Sequence, residues 1–137
     1  MSRLIRTSAV LAALMLPAAP AAAQSALAGS EWTPETLAGE PTPEGVEIFI
    51  QFGADGAAAG SAGCNRFTGG YAESGDSLAL GPFAATRMAC PTPVMEAEDA
   101  FFEIVQATRG FRRDATLLEF IGEDGEILAL LRQRDAD

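Results

Sequence analysis

The sequence predicts a small, mainly β domain with a single α-helix, and three observations support this. Val46-Glu47-Ile48-Phe49-Ile50-Gln51-Phe52 places apolar residues at 46, 48, 50 and 52, with charge or amide at 47 and 51. That is the period of a strand with one buried face. Asp55-Gly56 and Asp124-Gly125 each stand between apolar runs, a strong hairpin signal. One stretch alone has helical spacing: Val94, Ala97, Phe101, Ile104, Val105 and Thr108 recur every three or four positions.

The first 23 residues read as a secretory leader rather than part of the fold. Arg3 and Arg6 precede an apolar run over residues 9–16, then Pro17, Pro20 and the small residues Ala21-Ala22-Ala23. A basic region, a short apolar core and a small-residue cleavage site are the parts of such a leader. The run is too short to cross a hydrocarbon core of about 30 Å. No cysteine lies near the cleavage site to take a lipid. Cleavage after Ala23 leaves residues 24–137, long enough for one domain.

All nineteen acids, but only seven of the nine arginines, follow residue 23, and lysine and histidine are absent, so the cleaved chain carries −12. This balance opposes the phosphate neutralisation that nucleic acids require. It likewise disfavours anionic membrane surfaces. The expected state is a monomer kept apart by self-repulsion, without stable membrane insertion.

Residues 24–29 read as a disordered linker, and the domain as residues 30–134. Trp32, the sole tryptophan, reads as a core anchor. Pro34, Gly39, Pro41, Pro43 and Gly45 make residues 34–45 mostly turn or edge. After the strand 46–52 and its turn, residues 57–64 return as a strand of very small side chains, which lets another element approach closely. Residues 67–71 form a third strand, interrupted by Gly69-Gly70; residues 77–80 and 83–89 form a fourth and a fifth. Thr92 is the expected helix N-cap with Pro93 at the first helical position, and Gly110 the expected stop. Glu96, Asp99 and Glu103 lie on the outer helix face, flanked by Glu98. Residues 116–121 and 126–131 form a closing hairpin, and residues 132–137 a charged tail.

Cys64 and Cys90 are the only cysteines. In an exported chain they pair most simply as a disulfide; two buried thiols are the alternative. Closing that loop of 27 residues is worth about 3.5 kcal/mol on loop entropy. No Cys-x-x-Cys suggests redox chemistry. Arg66 and Arg87 sit close to the two cysteines, and no other arginine lies between residues 7 and 108. Each is expected to pair with an acid or a carbonyl and lock the cysteine region, because buried charge persists only when paired. The alternative is that they present guanidinium to an anionic ligand. Asn65 is expected to shape a local bulge.

Much chemistry is excluded. Without histidine there is no Ser-His-Asp or Cys-His machinery, and without lysine no Ser-Lys dyad or Schiff base. The Asp-Gly turns lack the alternating acids of a calcium loop. The glycines lack the Gly-Lys-Ser/Thr of a phosphate loop. Two cysteines with carboxylates make an unusual structural zinc set. No motif selects a carboxylate pair for hydrolysis. No cofactor, metal or catalytic residue is expected.

Gly63-Cys64-Asn65-Arg66-Phe67-Thr68-Gly69 followed by Thr86-Arg87-Met88-Ala89-Cys90 closely resembles the META domain family, which includes the heat-shock protein HslJ. Met95-Glu96 opening a helix, Phe101 within it and the Leu-rich hairpin around Asp124-Gly125 extend the resemblance over residues 30 to about 132. The family often has Trp-x-Leu at the start; here Trp32 is followed by Thr33-Pro34, and Leu37 comes only after Glu35 and Thr36. The resemblance implies a small antiparallel, incomplete β-barrel packed around one α-helix. It also implies an envelope protein linked to stress tolerance, without established catalysis. Its motif residues are Asn65, Arg66, Phe67, Thr86, Arg87 and Met88, beside Cys64 and Cys90, in structural or binding roles.

The expected function is therefore that of a non-enzymatic periplasmic or secreted protein acting by binding or envelope maintenance. Its partner would be an envelope protein or a small apolar ligand. A lipid or ligand carrier would use a cleft between residues 57–63 and Phe101, with a continuous apolar cavity of about 300 Å³ or more. An inhibitor or adaptor would show a sizeable exposed apolar patch.

Overall fold

The computed structural model describes residues 9–17 and 24–134. Nine strands and one helix follow in the order β1 (Ser30–Leu37), β2 (Glu40–Pro41), β3 (Ile48–Phe52), β4 (Ala57–Ala62), β5 (Arg66–Ser74), β6 (Ser77–Ala85), α1 (Thr92–Ala107), β7 (Gly110–Asp114), β8 (Leu117–Ile121) and β9 (Ile127–Gln133). Every pairing is antiparallel, in the order β2-β1-β3-β4-β5-β6-β7-β8-β9, and β1 also pairs with β9. The sheet thus curls into a ring. The β6–β7 junction has a single residue pair, Ser77 with Gly110, so the ring is an incomplete barrel. The chain leaves it at that gap through α1, which packs on β1, β4, β6 and β9.

The alternation expected over residues 46–52 holds within β3, while half-buried Val46 and exposed Glu47 precede the strand. Ile48, Ile50 and Phe52 point inward and are wholly buried, and Gln51 is exposed. Trp32 is also wholly buried, its Nε1 donating to Ser30 Oγ at 2.7 Å. From the helix, Ala97, Phe101, Ile104 and Val105 fill the ring. Phe67 is the hub of the aromatic packing, with Phe83, Phe101 and Phe102 ring centroids at 4.9, 5.5 and 5.9 Å. The small residues of β4 are explained by this packing. A Cβ on Gly60 would fall on the carbonyl of Phe49 and press on the Phe67 ring.

Several local expectations change. The fourth and fifth strands are one strand, β6, running through a cis Gly81–Pro82 bond, and residues 86–90 lie beyond it. Residues 34–37, expected as turn, belong to β1, with a register shift between Pro34 and Thr36 on the β9 side. Pro91 rather than Thr92 is the N-cap, with no side-chain cap bond, and the helix ends at Thr108 in extended backbone; Gly110 starts β7. β7 itself is unanticipated: Phe111 is its only buried residue, between exposed charges. Arg132 and Gln133 are part of β9 rather than a tail.

The segment 24–29 is not a disordered linker. Glu73 accepts hydrogen bonds from Ser25 Oγ at 2.7 Å and from the backbone N–H of Ala26 at 2.8 Å. Arg113 donates to the carbonyl of Ala26 from the other side. Leu27 is thereby driven wholly into the core. The segment reads as polar because one apolar residue among small ones gives no periodic signal. The leader expected over residues 1–23 lies largely outside the described residues; within it, Leu11 is 94 % exposed and joins no core. No described helix is long and apolar enough to cross a membrane.

Leu27 therefore behaves as a plug. Leu27→Ala should lower stability by about 2–5 kcal/mol, the range for emptying a buried leucine site, measured by urea unfolding. An unchanged midpoint would mean that the segment is passive.

Candidate functional site

The motif residues converge at one end of the ring, where the β4–β5 connection, the end of β6 and the first turns of α1 meet. Cys64 and Cys90 form a disulfide with Cα atoms 5.9 Å apart. Beside it lies a buried carboxylate. Glu98 is 4 % exposed; its Oε2 accepts the backbone N–H of Cys64 at 3.0 Å and of Asn65 at 2.7 Å, and its Oε1 accepts Asn65 Nδ2 at 2.6 Å. Gly63, at φ +117°, turns the backbone so that these successive N–H groups aim at one oxygen. A Cβ there would also press on Val46.

Asn65 passes the connection onward. Its Oδ1 accepts Met88 N at 2.6 Å and Thr86 Oγ1 at 3.0 Å, and its Nδ2 also donates to Met88 O at 3.2 Å. Thr86 Oγ1 in turn accepts the N–H of Arg66. Buried and hydrogen-bonded on both ends, Asn65 does more than shape a bulge: it ties residues 86–88 to the β4–β5 connection. Phe67, the next inward residue, is the aromatic hub. Six of the eight motif residues, Cys64, Asn65, Phe67, Thr86, Met88 (through its backbone) and Cys90, are thus parts of one latch. Glu98 was missed as its centre. Its signal was present, because residue 98 falls on the inner helix face, four positions after Val94 and three before Phe101.

The arginines behave differently from expectation. Arg66 and Arg87 are exposed, and no ion pair among the described residues engages either. The ion pairs are Arg112–Glu119 at 2.6 Å, Arg132–Glu35 at 2.5 Å, and Arg134 to Glu31 and Glu47 at 3.0 and 3.4 Å. The arginines that pack on the fold are Arg113, over the Trp32 ring at 4.9 Å, and Arg134, over Phe49 at 4.5 Å. Arg66 and Arg87 do not lock the cysteine region, which is satisfied by neutral donors around Glu98. Both are exposed at its outside, and Met88, which follows Arg87 in the chain, is 57 % exposed.

Arg66 belongs to the outer face of the sheet, whose cross-strand register is regular. One row runs Phe49, Ser61, Arg66, and the next runs Gln51, Ala59, Thr68, Ala84. Two shallow hollows of about 210 and 280 Å³ flank Arg66 and Thr68, one toward β3 and one toward β6. Among the described residues, no group of three or more acids or cysteines is placed to hold a metal ion.

The model of the META domain matches residues 25–135. The fold is similar to that of a protein from Burkholderia xenovorans solved by NMR, at 23 % identity and TM-score 0.64, over 88 % of this chain and 97 % of that one. It is also similar to a crystal structure of a DUF4847 family protein from Bacteroides vulgatus, at 16 % identity and TM-score 0.57, over 82 % and 97 % of the two chains. No curated protein matches the chain.

The latch and the arginines give opposite expectations. Glu98→Ala strands three donors, two of them backbone groups; at roughly 1–3 kcal/mol for each buried group left unpaired, it should cost at least about 3 kcal/mol. Arg87→Ala should fall within about 0.5 kcal/mol of the parent, as for an ordinary surface change. Thermal unfolding of both variants in parallel checks the ordering. Cys64→Ser should lose about 3.5 kcal/mol, the loop-entropy contribution, and an oxidised parent melting together with it would remove the staple.

Proposed function

Because the chain belongs to the META domain family, we propose that it is a non-enzymatic, exported binding protein that helps maintain the cell envelope under heat stress. The single observation behind a binding role is the contrast between the two motif arginines and the rest. In a chain with 19 acids and 9 arginines, neither Arg66 nor Arg87 forms an ion pair with a described acid. They sit on a backbone fixed by a disulfide and a buried carboxylate. Charge held ready on a rigid frame suits recognition, because little freedom is lost on binding. Export is supported by the disulfide, which persists in oxidising compartments, and by the leader-like residues 1–23.

Binding is assigned to the surface rather than to an internal cleft. The space between sheet and helix is filled by Phe67, Phe101 and Ile104, each at most 5 % exposed, so a carrier reading through that cleft has no support. The adaptor reading keeps one observation, the exposed Met88 beside Arg87.

Cells lacking the protein should lose viability on heat challenge and regain it with the full chain. A version beginning at Gln24 and confined to the cytosol should fail to restore it. The envelope form should have the mass of residues 24–137 less two hydrogens. Rescue by the cytosolic version, or equal heat survival with and without the protein, would refute the proposal.

A further inference from the structure

We propose that the hollow on the outer face between β3 and β5 is a binding site for a small carboxylate with an apolar body, held by Arg66. This names the ligand class for the binding role above and rests on that role. The hollow, about 210 Å³, has apolar walls of Phe49 and Ala59 and polar groups from Gln51, Arg66 and Thr68. Among the described residues, no hydrogen bond engages the Gln51 amide, the Arg66 guanidinium or the Thr68 hydroxyl, although neighbouring Ser61 Oγ and Thr86 Oγ1 are both occupied. Three unoccupied donors thus converge on one concavity with an aromatic wall, the composition of a small-ligand site.

Charge selects the ligand. Guanidinium offers a planar fork matched to carboxylate. The rows around Arg66 contain Phe49, Ser61, Ala59, Thr68 and Ala84, none of them acidic. Glu31, which ends the second row beyond Gln51, is held by Arg134 at 3.0 Å. The Arg134 guanidinium also lies over the Phe49 ring, where it is shared by Glu31 and by Glu47 at 3.4 Å, so among the described residues Arg66 is the unpaired positive charge of the hollow. An anion therefore meets attraction at the Arg66 end of the hollow, away from Glu31 and Glu47. The volume lies below the roughly 300–1,000 Å³ of drug-sized sites, which limits the apolar body to about one ring or a short acyl chain.

The test is a titration of the full mature chain with benzoate, followed through backbone amide NMR shifts, beside benzamide and inorganic phosphate as probes. Benzoate should saturate shifts at Gln51, Arg66 and Thr68, and benzamide and phosphate should bind at least about tenfold more weakly. Arg66→Gln, an exposed change that should leave the remaining spectrum and the melting temperature unaltered, should weaken benzoate about tenfold or more. Equal responses to benzoate and benzamide, a phosphate response matching that of benzoate, shifts mapping elsewhere, or undiminished binding to Arg66→Gln would each overturn the site. Such a failure would leave heat survival and export untouched, and failure of those would leave the titration untouched.

Discussion

The junction of the β4–β5 connection, β6 and α1 depends on a negative charge placed where water does not reach. Glu98 is buried, no cation among the described residues pairs with it, and an uncompensated carboxylate in that position is costly. Compensation comes from amide N–H groups of Cys64 and Asn65. Such charge-assisted bonds are stronger than neutral ones, and they dictate the path of three segments together. The β4–β5 connection must present consecutive N–H groups, the helix must start close enough to bring residue 98 over them, and residues 86–88 must follow Asn65. The disulfide then fixes Cys90 just ahead of α1. Helix entry is thereby set without a side-chain cap, which explains why Pro91 suffices at that position.

With the latch satisfied internally, the neighbouring arginines have no structural duty. The motif therefore divides by face. Asn65 and Phe67 look inward and hold the ring, whereas Arg66 between them looks outward. That division follows from strand periodicity, since successive residues on β5 take opposite faces. One short stretch can in this way serve folding on one side and recognition on the other.

Much of this was legible in the sequence. Ile48 to Phe52 announced its buried face, Trp32 its role as anchor, and Cys64 and Cys90 their bond. What escaped had physical causes. β7 is a mostly charged strand with one buried residue, so periodicity could not find it. Leu27 is held by Glu73, nearly fifty residues away, and no local pattern encodes a long-range partner. Glu98 was read with its acidic neighbours although helical spacing set it on the apolar stripe. The arginines were judged by the rule for buried charge, and the structure places them outside the region where that rule applies.

The pairing of β1 with β9 has a temporal meaning. Trp32 meets Gln133, and Leu37 meets Ala129, so the opening strand, paired early with β2 and β3, gains its last partner only from the last strand of the domain. Contacts spanning nearly the whole chain form late, because long loops must close first. A chain emerging in order from its N-terminus cannot seal the ring until its final segment is free. Until then β1 keeps one edge open, and closure of the ring waits on the last residues of the domain.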